Sequence, residues 1–173
     1  MSGDGEAVRA LVDAGAARQV SAELLSVHAA GLLVAARSIV FDESEAQDLV
    51  QATMEIALRK LDSLRDPAAL RPWLYVILTR EAFRAVRRLR RFVSLEGPGI
   101  TELPLGERDP AERLAIESAL RSLPRRMRAT VVLRYMVGLS VKECAEAMSV
   151  SENTVKTLLR LGIDRMRKEL SDA

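Results

Sequence analysis

The sequence predicts an all-α protein built as two small helical domains joined by a flexible linker. Three observations carry this. Hydrophobic residues make up 49% of the 173-residue chain but aromatic ones only 3%, and no run of β-branched or aromatic residues lies between turn signals as a strand would. Apolar residues recur instead at spacings of three and four behind capping residues. Near the middle, "SLEGPGITELPLGERDP" holds three prolines, three glycines and no helical period, which marks a linker. The expected units are residues 1–92 and 110–173, with 93–109 between them.

Residues 1–6 read as frayed, and a helical pattern runs from about Ala7 to Val40 with a break near Gly15. Leu24, Leu25, Leu32, Leu33, Ala36 and Ile39 share one face of it. In "FDESEAQDLV" a new helix starts, with Ser44 as cap and Gln47 three residues on. Ala46, Leu49, Val50, Ala57 and Leu61 are its apolar positions. Pro72 suits a first helical turn, so the next helix is expected over Trp73–Arg91, with Leu74, Leu78, Ala82, Ala85, Val86 and Leu89 inward. Beyond the linker, Asp109 with Pro110, then Pro124, Ser140 with Glu143, and Ser151 mark four helix starts. Gly138 ends the second of these.

Several function classes are excluded by composition. No stretch approaches 18 uncharged apolar residues, and the N-terminus carries acids and glycines where a signal peptide needs a basic start. A cytoplasmic protein with no membrane insertion is expected. Cys144 is the only cysteine and His28 the only histidine, so neither a disulfide nor a metal-ligand cluster can be assembled by spacing. With no Gly-rich phosphate loop and no nucleophile motif, no catalytic residue, enzyme activity or cofactor is expected.

The net charge is only +2, but the charges alternate in blocks. Residues 41–66 hold seven acids against three bases, and 71–91 hold seven arginines against Glu81. Residues 94–120 hold six acids against two bases, and 121–170 hold eleven bases against five acids. Two basic modules in one small chain suggest two contacts with a polyanion. In the first, Trp73, Arg80, Arg84, Arg87 and Arg91 form one stripe opposite the apolar face. Guanidinium forks match phosphate oxygens, and an aromatic beside them can stack on an unpaired base. A solvated helix face is the bland alternative, although such faces mix signs and this one has a single acid. For Trp73, packing and base contact are equally open.

In the second module, "LSVKECAEAM" and "SENTVKTLLRLGIDRMRKEL" give a short helix, a break at Ser149–Ser151 and a longer helix, the helix-turn-helix plan. Val141, Cys144, Ala145, Met148, Val150, Val155 and Leu159 are expected inside. Asn153, Thr154, Lys156, Thr157 and Arg160 lie at the start of the second helix, the end that enters a major groove in such motifs.

Together the modules resemble the small two-domain sigma factors of bacterial RNA polymerase, the extracytoplasmic-function group. The resemblance rests on "EAQDLVQATMEIALRKLDSLRDPAALRPWLYVILTREAFRAVRRLRR", similar to their promoter-melting region 2, and on "LPRRMRATVVLRYMVGLSVKECAEAMSVSENTVKTLLR", similar to their region 4. It implies a sigma factor with core RNA polymerase, through its clamp helices and flap, and promoter DNA, duplex and melted, as partners, and an anti-sigma factor as a further one. Asp48, Gln51 and Glu55 would dock on the polymerase. Trp73, Arg80, Arg84, Arg87, Arg88 and Arg91 would capture the melted downstream element. Asn153, Thr154, Lys156, Thr157 and Arg160 would read the upstream element as duplex. The linker would thread through the polymerase.

The chain departs from the family's pattern at four places. Glu81 and Ala85 stand where members often have Asn and Asp, and Leu158 and Leu161 where many have arginines. Leu158 falls at the rim of the apolar face, Leu161 well into the polar one, where a thymine methyl or a partner protein is its expected contact. Two rival readings stand beside this one. "GLSVKECAEAMSVSENTVKT" also resembles the DNA-binding domain of LuxR-type regulators, but residues 1–92 offer no alternating strands for a receiver sheet. A sigma-like protein that binds polymerase without initiating also fits the altered downstream motif.

Overall fold

The computed structural model describes residues 23–64, 66–89 and 109–171, and of residues 67 and 85–89 the backbone only. A helical turn over residues 23–26 leads through Val27 and His28 into α1, Ala29–Val40. Helices α2 (Glu43–Lys60) and α3 (Leu70–Leu89) complete the first module. The second comprises α4 (Pro110–Ser122), α5 (Arg125–Val131), α6 (Val141–Met148) and α7 (Glu152–Ser171). No strand occurs among the described residues, and no helix there is long and apolar enough to cross a membrane.

In the first module α1, α2 and α3 pack on one another. Leu25, Leu32, Ala36 and Ile39 are buried, as are Ala46, Leu49 and Ala57, and Leu74, Leu78 and Ala82. Leu24 is the exception on the expected face: it is 49% exposed, because the chain turns at Val27 and His28 and breaks the helical register. The expected break at Gly15 and the residues before 23 lie outside the described residues, as do the side chains of Ala85, Val86 and Leu89.

Two expected helix starts shift. Asp42, not Ser44, caps α2: its backbone is extended and its Oδ1 accepts from the Glu45 N–H at 2.7 Å. Asp42 wins because Phe41, with φ at 57°, turns the chain immediately before it. Gln47 therefore serves as a partner of Glu43 (2.8 Å) rather than as half of a capping box. Helix α3 starts at Leu70, behind a 3₁₀ turn over Pro67–Ala69, so Pro72 falls inside its first turn, where a missing N–H costs nothing.

The second module's caps fall as the sequence predicts. The Asp109 side chain accepts from Ala111 N–H ahead of Pro110. Ser140 and Glu143 form a complete capping box, which holds the Glu143 carboxyl below its ordinary range, first through the Ser140 side chain. Helix α5 widens into a π-turn over Val132–Met136 that buries Val132 and Leu133, and Gly138, with φ at +81°, ends it. Helix α7 packs against α4, α5 and α6.

Cys144 is fully buried, and burial pushes its thiol up to about 11. It is expected to resist thiol reagents in the native protein and to react once the chain is unfolded. Because the folded pKa is raised, the unfolded thiol loses its proton first. Stability is thus complete below about 8.5 and declines as pH climbs towards about 11. Comparing alkaline unfolding of the wild type with Cys144→Ala isolates this contribution; identical pH dependence would refute it.

Candidate nucleic-acid interface

The apolar period of α3 sends Leu74, Leu78 and Ala82 into the core and thereby turns Arg80 and Arg84 to solvent. Trp73 is half-buried and packs against the core, yet it also lines the groove that holds Arg80 and Arg84. Its apolar body is thus fixed by packing while part of the ring faces outward. Arg84 Nη1 meets Glu81 Oε1 at 2.8 Å, with 67% of the arginine side chain exposed against 20% of the glutamate. The lone acid of the stripe therefore neutralises part of it. Arg87 and Arg88 lie on the last turns of α3, but their side chains, like Arg91 altogether, lie outside the described residues.

Arg59, Lys60 and Lys142 line the same groove. The sequence reading passes over all three. Arg59 and Lys60 close an acidic block, but they occupy the last turn of α2, where the carbonyl ends of the helix favour cations. That position was the available signal.

The elbow is built from backbone. Ser149 ends α6 in the left-handed region (φ 53°, ψ 49°), and the Val150 N–H donates to the Ala145 carbonyl at 3.0 Å. Ser151 Oγ then accepts from the Thr154 N–H at 3.2 Å and caps α7. Inside the elbow Cys144, Ala145, Met148, Val155 and Leu159 are buried, with Val141 and Val150 at the edge. Asn153, Thr154, Lys156, Thr157 and Arg160 are all exposed on one end of α7. Two of their hydroxyls are already engaged: Thr154 Oγ1 with Ser151 Oγ at 2.9 Å, and Thr157 Oγ1 with the Asn153 carbonyl at 3.0 Å. Leu158 is half-buried and Leu161 is 41% exposed.

On α2, Asp48, Gln51 and Glu55 share the exposed face opposite Ala46, Leu49, Thr53 and Ala57. Gln51 Nε2 donates to Glu55 Oε1 at 3.1 Å, tying two of the three together. Among the described residues there is no His, Cys, Asp and Glu grouping that could hold a metal ion.

A helix with an exposed polar start behind a tight elbow, on a chain that presents a second arginine-bearing helix elsewhere, defines a two-module helix-turn-helix protein. Comparison with known proteins gives the family. Residues 24–92 match the family model of sigma-70 region 2, and residues 113–166 match that of sigma-70 region 4. The RNA polymerase sigma factor SigV of Bacillus subtilis is 31% identical over 78% of this chain and 81% of its own. The sigma factor CnrH of Cupriavidus metallidurans is 30% identical over 97% of this chain and 93% of its own. The structure of the sigma factor RpoE in complex with the anti-sigma factor NepR from Bartonella quintana superposes with a TM-score of 0.73 at 25% identity, covering 85% of this chain and 94% of that one. The chain belongs to the sigma-70 family, as a two-domain sigma factor of the extracytoplasmic-function group. It accordingly joins core RNA polymerase and directs promoter-specific initiation of transcription, and its family is not one of enzymes.

Proposed function

We propose that this sigma factor engages its promoter at two points with a division of labour between modules, residues 1–92 melting and 110–173 anchoring. Asn153, Thr154, Lys156, Thr157 and Arg160 read the upstream element as duplex, and Leu161 adds an apolar contact to it. Trp73, Arg80 and Arg84, continued by Arg87, Arg88 and Arg91, hold the opened strand of the downstream element. Asp48, Gln51 and Glu55 dock on the polymerase clamp helices. The observation that carries this reading is the exposure of two separate basic sites on two modules, one behind a capped elbow and one beside a half-buried tryptophan. Unstacking costs a few kcal/mol per base, so a site that stacks and neutralises single strand must offset it.

The chain works in the cytoplasm, without catalytic chemistry of its own and without a cofactor. The presence of an anti-sigma factor on a relative of the same fold supports a similar partner here. Purified protein with core polymerase, tested for run-off transcription on genomic fragments, is expected to give defined start sites, with binding that weakens steeply as salt rises. Defined starts that need no upstream element, or opening that is insensitive to salt, would overturn the two-point reading.

A further inference from the structure

Where α1 and α3 meet the π-turn that follows α5, they leave a cavity of about 310 Å³. A water molecule occupies about 30 Å³, so the space suits something about ten times larger. That places it at the small end of the range for ligand sites. Val27, Val34 and Met136 give it apolar walls, while His28, Arg71 and Tyr75 bring polar groups to it. None of these residues has a part in the DNA or polymerase contacts proposed above.

Tyr75 is the informative residue. It is only 6% exposed, and among the described residues its hydroxyl has no hydrogen-bond partner. Buried tyrosine hydroxyls ordinarily find one. A Cβ at Gly31 would stand 3.0 Å from that oxygen. Glycine is unfavourable inside a helix, and here its missing side chain keeps the hydroxyl's end of the cavity clear. Burial pushes the Tyr75 phenol up, against the opposing charge of Arg71, so the group remains a donor. The Arg71 guanidinium lies 5.7 Å from the centre of the Tyr75 ring, and its Nη2 donates to the Val137 carbonyl. Among the described residues that is its one hydrogen bond, which leaves Nε and Nη1 to donate elsewhere. His28 precedes α1 without a side-chain cap bond, so its ring is uncommitted as well.

We propose that this cavity binds a small apolar carboxylate, its head held by Arg71 and the Tyr75 hydroxyl and its body by Val27, Val34 and Met136. A guanidinium fork with a hydroxyl beside it matches the two oxygens of a carboxylate. The apolar walls disfavour an anion that is polar all round, because only one end of the cavity offsets its desolvation. A body on the order of ten non-hydrogen atoms suits the volume, and the flexible Met136 thioether adapts to an aromatic ring. Met136 ends the π-turn and Val137 follows it, so the widened turn supplies both a wall and the carbonyl that orients Arg71.

Titration calorimetry on the full chain with phenylacetate as probe is expected to show saturable one-to-one binding. Its uncharged analogue 2-phenylethanol and inorganic phosphate should each bind more weakly by about tenfold or more. Tyr75→Phe should weaken phenylacetate binding about tenfold. The same variant should leave the thermal midpoint of the unliganded protein unchanged or raised, because the removed hydroxyl has no partner in the chain to lose. A hydroxyl with a purely structural role would give the reverse, a lower midpoint with unchanged affinity. Val34→Phe, which fills the cavity from its wall and spares the polar head, should abolish binding, as should Arg71→Met. Helicity by circular dichroism checks that each variant is folded. No saturable binding of phenylacetate, equal binding of 2-phenylethanol or phosphate, or unchanged affinity in folded Tyr75→Phe and Val34→Phe would overturn the site.

Discussion

Replacing Arg80 and Arg84 together with alanine is expected to abolish promoter opening by the holoenzyme while leaving upstream duplex binding within about twofold. Both guanidinium groups stand exposed on one wall of the groove, and neither supports the core beneath Leu74, Leu78 and Ala82. A charge-assisted hydrogen bond contributes about 1.5–3 kcal/mol. Losing two therefore removes roughly 3–6 kcal/mol, or about 10²–10⁴ in the opening equilibrium. The salt dependence of opening should fall as well, since fewer counterions are released. Permanganate footprinting of unpaired thymines measures the first effect, and gel shifts on upstream duplex measure the second. Equal loss of both would contradict the division of labour. Glu81→Gln should act in the opposite direction, because Arg84 is released from its 2.8 Å partner. That gain should stay under about fivefold, since exposed ion pairs contribute at most about 1 kcal/mol.

The helices and most of their caps were legible because they are local. Asp109, Ser140 and Ser151 each bond a backbone N–H within three residues, so a short stretch of sequence contains the whole interaction. The apolar faces of α2 and α3 were legible for the same reason, at periods of three and four. Failures came where a distant or polar residue decided. Thr53, Thr79 and Thr130 are fully buried. Thr53 and Thr130 satisfy themselves on carbonyls four residues back, so their polarity hid core positions from an apolar pattern. The cap at Asp42 depends on the left-handed Phe41 before it, a conformation no propensity assigns to phenylalanine.

The sites divide in the same way. Exposure at the first turns of α7 follows from its own period, so the outward placement of Asn153, Thr154, Lys156, Thr157 and Arg160 was legible in advance. The contact of α3 with α6 could not. It joins residues more than fifty positions apart, across a linker that the sequence marks only as a break. The charge blocks contained a signal of it, but complementary blocks serve an external polyanion and an internal partner equally well.

Gly162→Val should destabilise the protein by about 3 kcal/mol, near the upper end for overpacking a well-filled site. The reason is the close approach of α7 to α5. A Cβ at position 162 would stand 2.9 Å from Val131 Cγ2 and 3.1 Å from Met127 Cγ. The methionine can swing aside. Val131 cannot, since it is buried and β-branched and leads directly into the π-turn that fills the core with Val132 and Leu133. Gly162→Ala isolates the competition, because alanine in a helix interior gains about 1 kcal/mol over glycine. Here crowding should exceed that gain, so the urea midpoint falls for alanine and falls further for valine. A midpoint raised by Gly162→Ala would mean that α7 has room to shift. The same close contact aims the opposite end of the helix, where Asn153, Lys156 and Arg160 project. At temperatures where the valine variant remains folded, upstream binding should therefore weaken without the loss of any side chain proposed to read the upstream element.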